Sequence, residues 1–177
     1  FGDNILCDDA LNVVRSDFNA DKCTFKNTFA DAFDSDFCTG KVENCIFETI
    51  GNDAIDFSGS KIEVVNCTMN NVGDKAISGG ENSRLYVNDC TIEGANIGVA
   101  AKDLSHLTLN GIKMHKTVYG IVAFVKKPEY GPAHISIENL KMKNNVVFHQ
   151  IELGSSLTLN GKLIEGREKN LAVKLYQ

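Results

Sequence analysis

The sequence predicts an all-β fold: a right-handed, single-stranded parallel β-helix of about seven coils of ~22 residues each. Three observations predict it. Cys23, Cys45 and Cys67 are spaced 22 residues apart, and each opens the same pattern: Cys23-Thr24-Phe25, Cys45-Ile46-Phe47, Cys67-Thr68-Met69. Each repeat holds three short runs of alternating apolar and polar residues, the period of a strand. Polar turns separate those runs, and no stretch sustains a helical period. The Leu/Asn consensus of a leucine-rich repeat is also absent.

The columns of the repeat can be followed along the chain. The cysteine series continues through Cys90-Thr91-Ile92, Ile112-Lys113-Met114 and Leu140-Lys141-Met142, in steps of 23, 22 and 28. A column upstream of it holds Ile62/Val64, Leu85/Val87, Leu107/Leu109, Ile135/Ile137 and Leu157/Leu159. A column downstream holds Leu11, Phe33, Ile55, Ile77, Val99 and Ile121, each beside Ala10, Ala32, Ala54, Ala76, Gly98 or Gly120. Coils stack about 4.8 Å apart, so each column becomes a ladder. Neighbouring coils must bury each other's apolar ladders to be stable. Asn27, Asn71 and Asn144 follow the aromatic or Met position by two residues and suit left-handed corners. Asn110 and Asn160, each before Gly, are similar turn signals, and Gly79-Gly80 also reads as a corner.

The domain reading is residues 1–164 as coils and 165–177 as a C-terminal tail or cap. The long step of 28 places an inserted loop near 125–134, where both prolines lie. Such a loop either flanks a groove or is a plain surface insertion. Phe1 falls by spacing in the cysteine column, so the chain is expected to start inside a coil. An open coil end invites edge pairing, which suggests a piece of a larger protein or a separate cap on that end.

Composition excludes several function classes. Residues 1–88 carry 15 Asp and Glu against 7 Lys and Arg, and residues 89–177 carry 8 against 11. An acidic chain without a basic stripe is a poor nucleic-acid binder. No apolar run approaches the ~18 residues of a membrane span. The six cysteines suggest disulfides by count. Stacked with parallel Cβ vectors, they do not offer the torsion a disulfide needs, and they read as reduced core residues. No Cys or His set has zinc spacing.

The acidic residues form the sharpest feature. Stacking puts Asp9, Asp31, Asp53 and Lys75 in one file, and Asn12, Asp34, Asp56 and Ser78 in the next, with Asp36 on the same face. Carboxylates about 5 Å apart repel by roughly 3 kcal/mol at an effective dielectric of 20. Raised pKa values, a nearby cation or a bound metal must compensate. Lys75 is one cation; calcium matches several carboxylates at once. The alternative for Asp9, Asp31 and Asp53 is a set of Asx turns.

The coil pattern resembles the pectin-lyase-like superfamily of right-handed β-helices, over nearly the whole chain. One pectate lyase family in it binds calcium through Ser-Asp-Gly-Phe and, a coil later, Asp-Asp-Gly-Phe-Asp. Asp31-Ala32-Phe33 and Asn52-Asp53-Ala54-Ile55-Asp56 are similar. The resemblance implies calcium at Asp31, Asp53 and Asp56, with Asn52 in place of one carboxylate, and Lys75 as a base. Polygalacturonase-type glycosidases offer a second comparison, against Asp31, Asn52-Asp53, Gly73-Asp74-Lys75-Ala76 and Ala100-Ala101-Lys102. There Lys75 stands in place of histidine and Ala100 in place of arginine.

Three functions follow. The first is a polysaccharide-binding module of a cell-surface or secreted protein, partnered by a polysaccharide or acidic glycan and by other domains of its parent. Asp34, Ser78, Lys102, Tyr119 and Tyr130 would line its substrate groove, with Phe124 near Tyr119. The second is a calcium-dependent polyuronide lyase or a glycoside hydrolase, with Lys75 and Asp53 as catalytic residues. The third is a structural spacer without ligand. Lys126-Lys127 reads as a solvated pair.

Overall fold

The computed structural model describes residues 1–3 and 6–176. The first coils hold β1 (Asp9–Val14), β2 (Asp17–Asp21), β3 (Thr24–Thr28), β4 (Asp31–Asp36), β5 (Thr39–Glu43), β6 (Ile46–Ile50), β7 (Ile55–Ser58) and β8 (Lys61–Val65). Farther on come β9 (Thr68–Gly80), β10 (Arg84–Asn88), β11 (Thr91–Lys102), β12 (His106–Asn110) and β13 (Lys113–Phe124), of which β9, β11 and β13 fuse strands of two faces into long bent ones. The last are β14 (His134–Glu138), β15 (Lys141–Lys143), β16 (Val147–Ile151), β17 (Ser156–Leu159) and β18 (Lys162–Glu165), then the helix α1 (Leu171–Tyr176).

Three parallel faces result. One runs β1, β4, β7, then the second halves of β9, β11 and β13, then β16. A second runs β2, β5, β8, β10, β12, β14, β17. The third runs β3, β6, the first halves of β9, β11 and β13, then β15. Among the described residues only β18 breaks the direction, turning back antiparallel onto β17.

The expected ladders form in register. Leu11 pairs Phe33, Phe33 pairs Ile55, Ile77 pairs Val99 and Val99 pairs Ile121, all in the core cluster. Phe25, Phe33, Phe47 and Phe57 fill the early coils, with Phe25 and Phe47 stacked at 4.8 Å. Ile, Val, Leu and Met fill the later ones. The cysteines are all free. The thiols of Cys45, Cys67 and Cys90 donate to the carbonyls of Glu43, Val65 and Asn88 at 3.2–3.3 Å. Cys7 and Cys23 are only half-buried, because few coils lie above them. Asn27, Asn71 and Asn144 do turn corners, with φ of 52°, 55° and 58°.

Two local expectations are corrected. Phe1 lies in the aromatic column, stacked on Phe25 at 4.9 Å, since Gly2 bridges Lys26 and shifts the register by two. Gly79 and Gly80 are not a corner: both lie within β9. A side chain at Gly79 would meet Leu85 and Leu107 of the core. The glycines that do shape a corner are Gly51 and Gly73, where any Cβ would overlap the carbonyl one coil above. That close approach fixes the backbone just ahead of Asp53 and Lys75.

Candidate functional site

The outward residues of the first face form three files. File a reads Asp9, Asp31, Asp53, Lys75, Ile97, Tyr119, Val147, and these residues open coils one to seven. File b reads Asn12, Asp34, Asp56, Ser78, Ala100, Val122, Gln150. File c reads Val14, Asp36, Ser58, Gly80, Lys102, Phe124, then Glu152 just past β16. Files b and c are two residues apart, so strand alternation aims both away from the core. File a lies three residues ahead of b, across a break in the alternation where Ala32-Phe33, Ala54-Ile55 and Ala76-Ile77 are buried as pairs.

Asp31, Asp53 and Asp56 converge, each offering a carboxylate oxygen within 4.8 Å of the others. Two lysines answer them. The Lys75 ammonium donates to Asp53 Oδ1 at 3.0 Å and also contacts Asp74. The Lys75 backbone N–H donates to the same Asp53 oxygen at 2.9 Å. Lys102 donates to both Asp56 oxygens, at 3.2 and 3.3 Å, reaching back two coils. It passes over Gly80, where a Cβ would sit 3.3 Å from its Cε. Lys75 and Lys102 are only 3% and 5% exposed, and Asp53 1%. Asp31 Oδ1 accepts from Asn52 Nδ2 at 2.6 Å and the Asp53 N–H at 2.9 Å, both on the next coil, so it ties coil to coil rather than closing a local Asx turn.

Burial and crowding set the charges. Burial drives the Asp53 carboxyl up, while Lys75 opposes the shift. Burial alone would lower Lys75, but Asp53, Tyr176 and Asp74 together outweigh it and hold the ammonium above the usual lysine range. Lys102 is likewise held up, against burial, by Asp56 and then Asp53. Asp34 has no cation. Burial, then Asp56 and Asp36, push it up to about 7. Asn12 bridges it to Asp9, donating to Asp9 Oδ2 at 3.0 Å and Asp34 Oδ2 at 3.1 Å. Burial and, next, Glu81 also raise Asp36.

A family model described as "Right handed beta helix region" matches residues 9–168. The chain belongs to that family. A search of curated proteins returned no match. Membership in the right-handed β-helix family accounts for the ladders and for a long outward sheet face on which residues 22 apart meet.

On this β-helix the expected site residues divide into two groups. Asp31, Asn52, Asp53, Asp56, Asp34, Ser78, Lys75 and Lys102 gather on coils two to five. Tyr119 and Tyr130 stand apart from them. Tyr119 packs beside Leu171 and Leu175 of α1. Tyr130 sits on the 125–133 loop, its hydroxyl 3.4 Å from Glu81. That loop is pinned by Asp103 Oδ1, which accepts from the Lys126 and Lys127 N–H groups at 2.7 Å each. Lys126 and Lys127 are not simply a solvated pair: Lys127 bonds Glu81, and the Lys126 ammonium lies 4.9 Å from the Tyr176 ring centroid.

Sequence reasoning misses three members. Asp74 was legible as the neighbour of Lys75 in the chain. Gly80 was legible as a small residue in file c. Tyr176, whose ring centroid is 5.4 Å from the Lys75 ammonium, lies outside the repeat and carries no spacing signal.

Proposed function

We propose that this chain is a polysaccharide-binding β-helix that takes a neutral glycan along the outer face of coils one to four. The observation that carries this reading is the polar strip itself. Asp9, Asn12, Asp31, Asp34, Asp36, Asp56 and Ser58 keep part of their surface open and point outward in three files. The files repeat at the strand spacing of about 4.8 Å. Carboxylates and amides at that pitch accept from and donate to the hydroxyl rim of a sugar polymer. Lysines 75 and 102 hold the buried part of the strip rigid, which limits the entropy lost on binding. A polyanion would meet like charge there, so electrostatics favour a neutral glycan over an acidic one.

The convergence of Asp31, Asp53 and Asp56 supports a second reading, a calcium-dependent polyuronide lyase. The donor set suits a hard cation. Calcium would have to displace ammonium groups already seated on Asp53 and Asp56. Lys75 serves as a base only if that field is reversed.

Calorimetry with cello-, xylo- and mannohexaose, without metal, tests the first reading. Saturable binding that Asp34→Ala weakens supports it; no heat from any of the three refutes it. Titration with millimolar calcium, then release of unsaturated product from polygalacturonate, tests the second. No calcium binding ends the lyase reading.

A further inference from the structure

Beyond coil four, in coils five and six, the three files turn apolar apart from Lys102, and α1 covers that continuation. This helix is six residues long, too short to be stable without docking. Leu171 is its one buried residue, set against Ile97, Ala100, Val122 and Phe124. The Leu171 N–H donates to Glu152 Oε1 at 3.0 Å. The Lys174–Glu168 pair at 2.7 Å is exposed and adds little. Tyr176 remains 44% exposed, yet its ring sits between the Lys75 and Lys126 ammonium groups and 6.3 Å from the Phe124 ring. A segment held by so few buried contacts opens at low free-energy cost.

One coil before the covered shelf, file b has an unfilled bond at the register neighbour of Ala100. Ser78 is 0% exposed, and its Oγ has no hydrogen-bond partner, although Asp56 is its register neighbour. A buried hydroxyl left unsatisfied carries its full desolvation cost. The Lys126 ammonium has no carboxylate partner among the described residues, only the Tyr176 ring. Beside them lies the apolar shelf of Ile97, Ala100, Val122 and Phe124.

We propose that α1 is a lid over a second half of the glycan site, and that the Tyr176 ring holds the place of a sugar ring. This rests on the glycan reading above. A pyranose has two largely apolar faces and a hydroxyl rim, and the docked phenol has the same character. With α1 lifted, a sugar ring lies on the Phe124 and Val122 shelf while its hydroxyls meet Ser78 Oγ and Lys126. The binding face then runs from the polar strip of coils one to four onto the apolar shelf of coils five and six.

The experiment uses the full chain with Leu171→Asp, which undocks α1, and Tyr176→Ala, which removes only the ring. Lys75 is followed by acylation with an amine-reactive reagent and mass spectrometry. Labelling in Leu171→Asp is expected to rise at least about tenfold, and in Tyr176→Ala by less. Equal Lys75 labelling in all three chains overturns the lid. The hexasaccharide bound best by the wild type is then titrated. Affinity about tenfold higher in Leu171→Asp, and lost again on adding Ser78→Ala, supports the sugar-ring assignment. Faster labelling with unchanged affinity overturns that assignment. If no hexasaccharide binds any chain, the glycan reading falls, and the labelling rates alone still decide whether α1 is a lid.

Discussion

Coils one to three and coils five and six present the same sheet face to opposite surroundings. The early coils place Asp9, Asp31, Asp34, Asp36, Asp53 and Asp56 there, most of them partly open. The later coils place Ile97, Ala100, Val122 and Phe124 there, fully buried under a helix from the same chain. Coil four and its neighbours hold the border, where Lys75 and Lys102 turn back toward the acids. The backbone is the same in both halves, so the difference belongs to the side chains. A parallel solenoid fixes where residues 22 apart meet, and leaves the chemistry of that meeting to the sequence.

The largest expected effect comes from breaking the border. Lys75→Met removes the cation from a carboxylate that is 1% exposed. Removing one partner of a buried pair costs about 3–5 kcal/mol, because the other charge stays buried and unpaired. Chemical denaturation should show that loss for Lys75→Met, and Asp53→Asn in the same chain should recover much of it. Lys102→Met is expected to cost less, since Asp56 keeps access to water. If both lysine variants lose the same stability, the graded border is wrong.

A comparable loss should follow from the core beneath the acidic half. Phe33 is wholly buried, with the Phe57 ring at 5.2 Å and the Phe18 ring at 5.1 Å. Phe33→Ala should cost about 3–5 kcal/mol by cavity formation. Ile121→Val, in the same ladder under the apolar half, should cost about 0.5–1.5 kcal/mol. The two midpoints in urea check whether the halves unfold as one cooperative unit. In a solenoid each coil leans only on its neighbours, so separated transitions would show the halves uncoupled.

Much of this was legible in the sequence, for a physical reason. The ladders Leu11-Phe33-Ile55-Ile77 and Cys23-Cys45-Cys67 repeat because stacking forces equivalent positions to coincide. The acidic files were legible by the same arithmetic, and so was Lys75 at their end. Lys102 was legible only as a residue on the right face. Its reach to Asp56 passes close over Gly80, where a Cβ would crowd it, a property of two coils at once. Tyr176 and Leu171 were not legible as site residues, since the tail obeys no repeat. The Phe1 offset arose where the first step departs from 22. Periodicity gives coincidence within the repeat, and gives nothing about segments that leave it and return.

The smallest effect is the most specific to the acidic half, and it concerns pH. Asp34 has an ordinary value of 3.8 and rises to about 7 in the folded chain. Between those two values the native state holds a proton that the unfolded state has released. Linkage then makes stability fall as pH rises through that window, and level off above it. Asp31 and Asp36 are shifted in the same direction and add to the slope. Asp34→Asn keeps the acceptor for Asn12 while removing the titration. Its melting temperature should match the wild type near pH 4 and exceed it near pH 8. The apolar half contributes no such group, so a charge change there, such as Lys174→Gln, should leave the pH slope intact. A wild-type chain that grows more stable from pH 4 to pH 7 would mean that cations already neutralise the open strip, and the contrast between the two halves would shrink to packing alone.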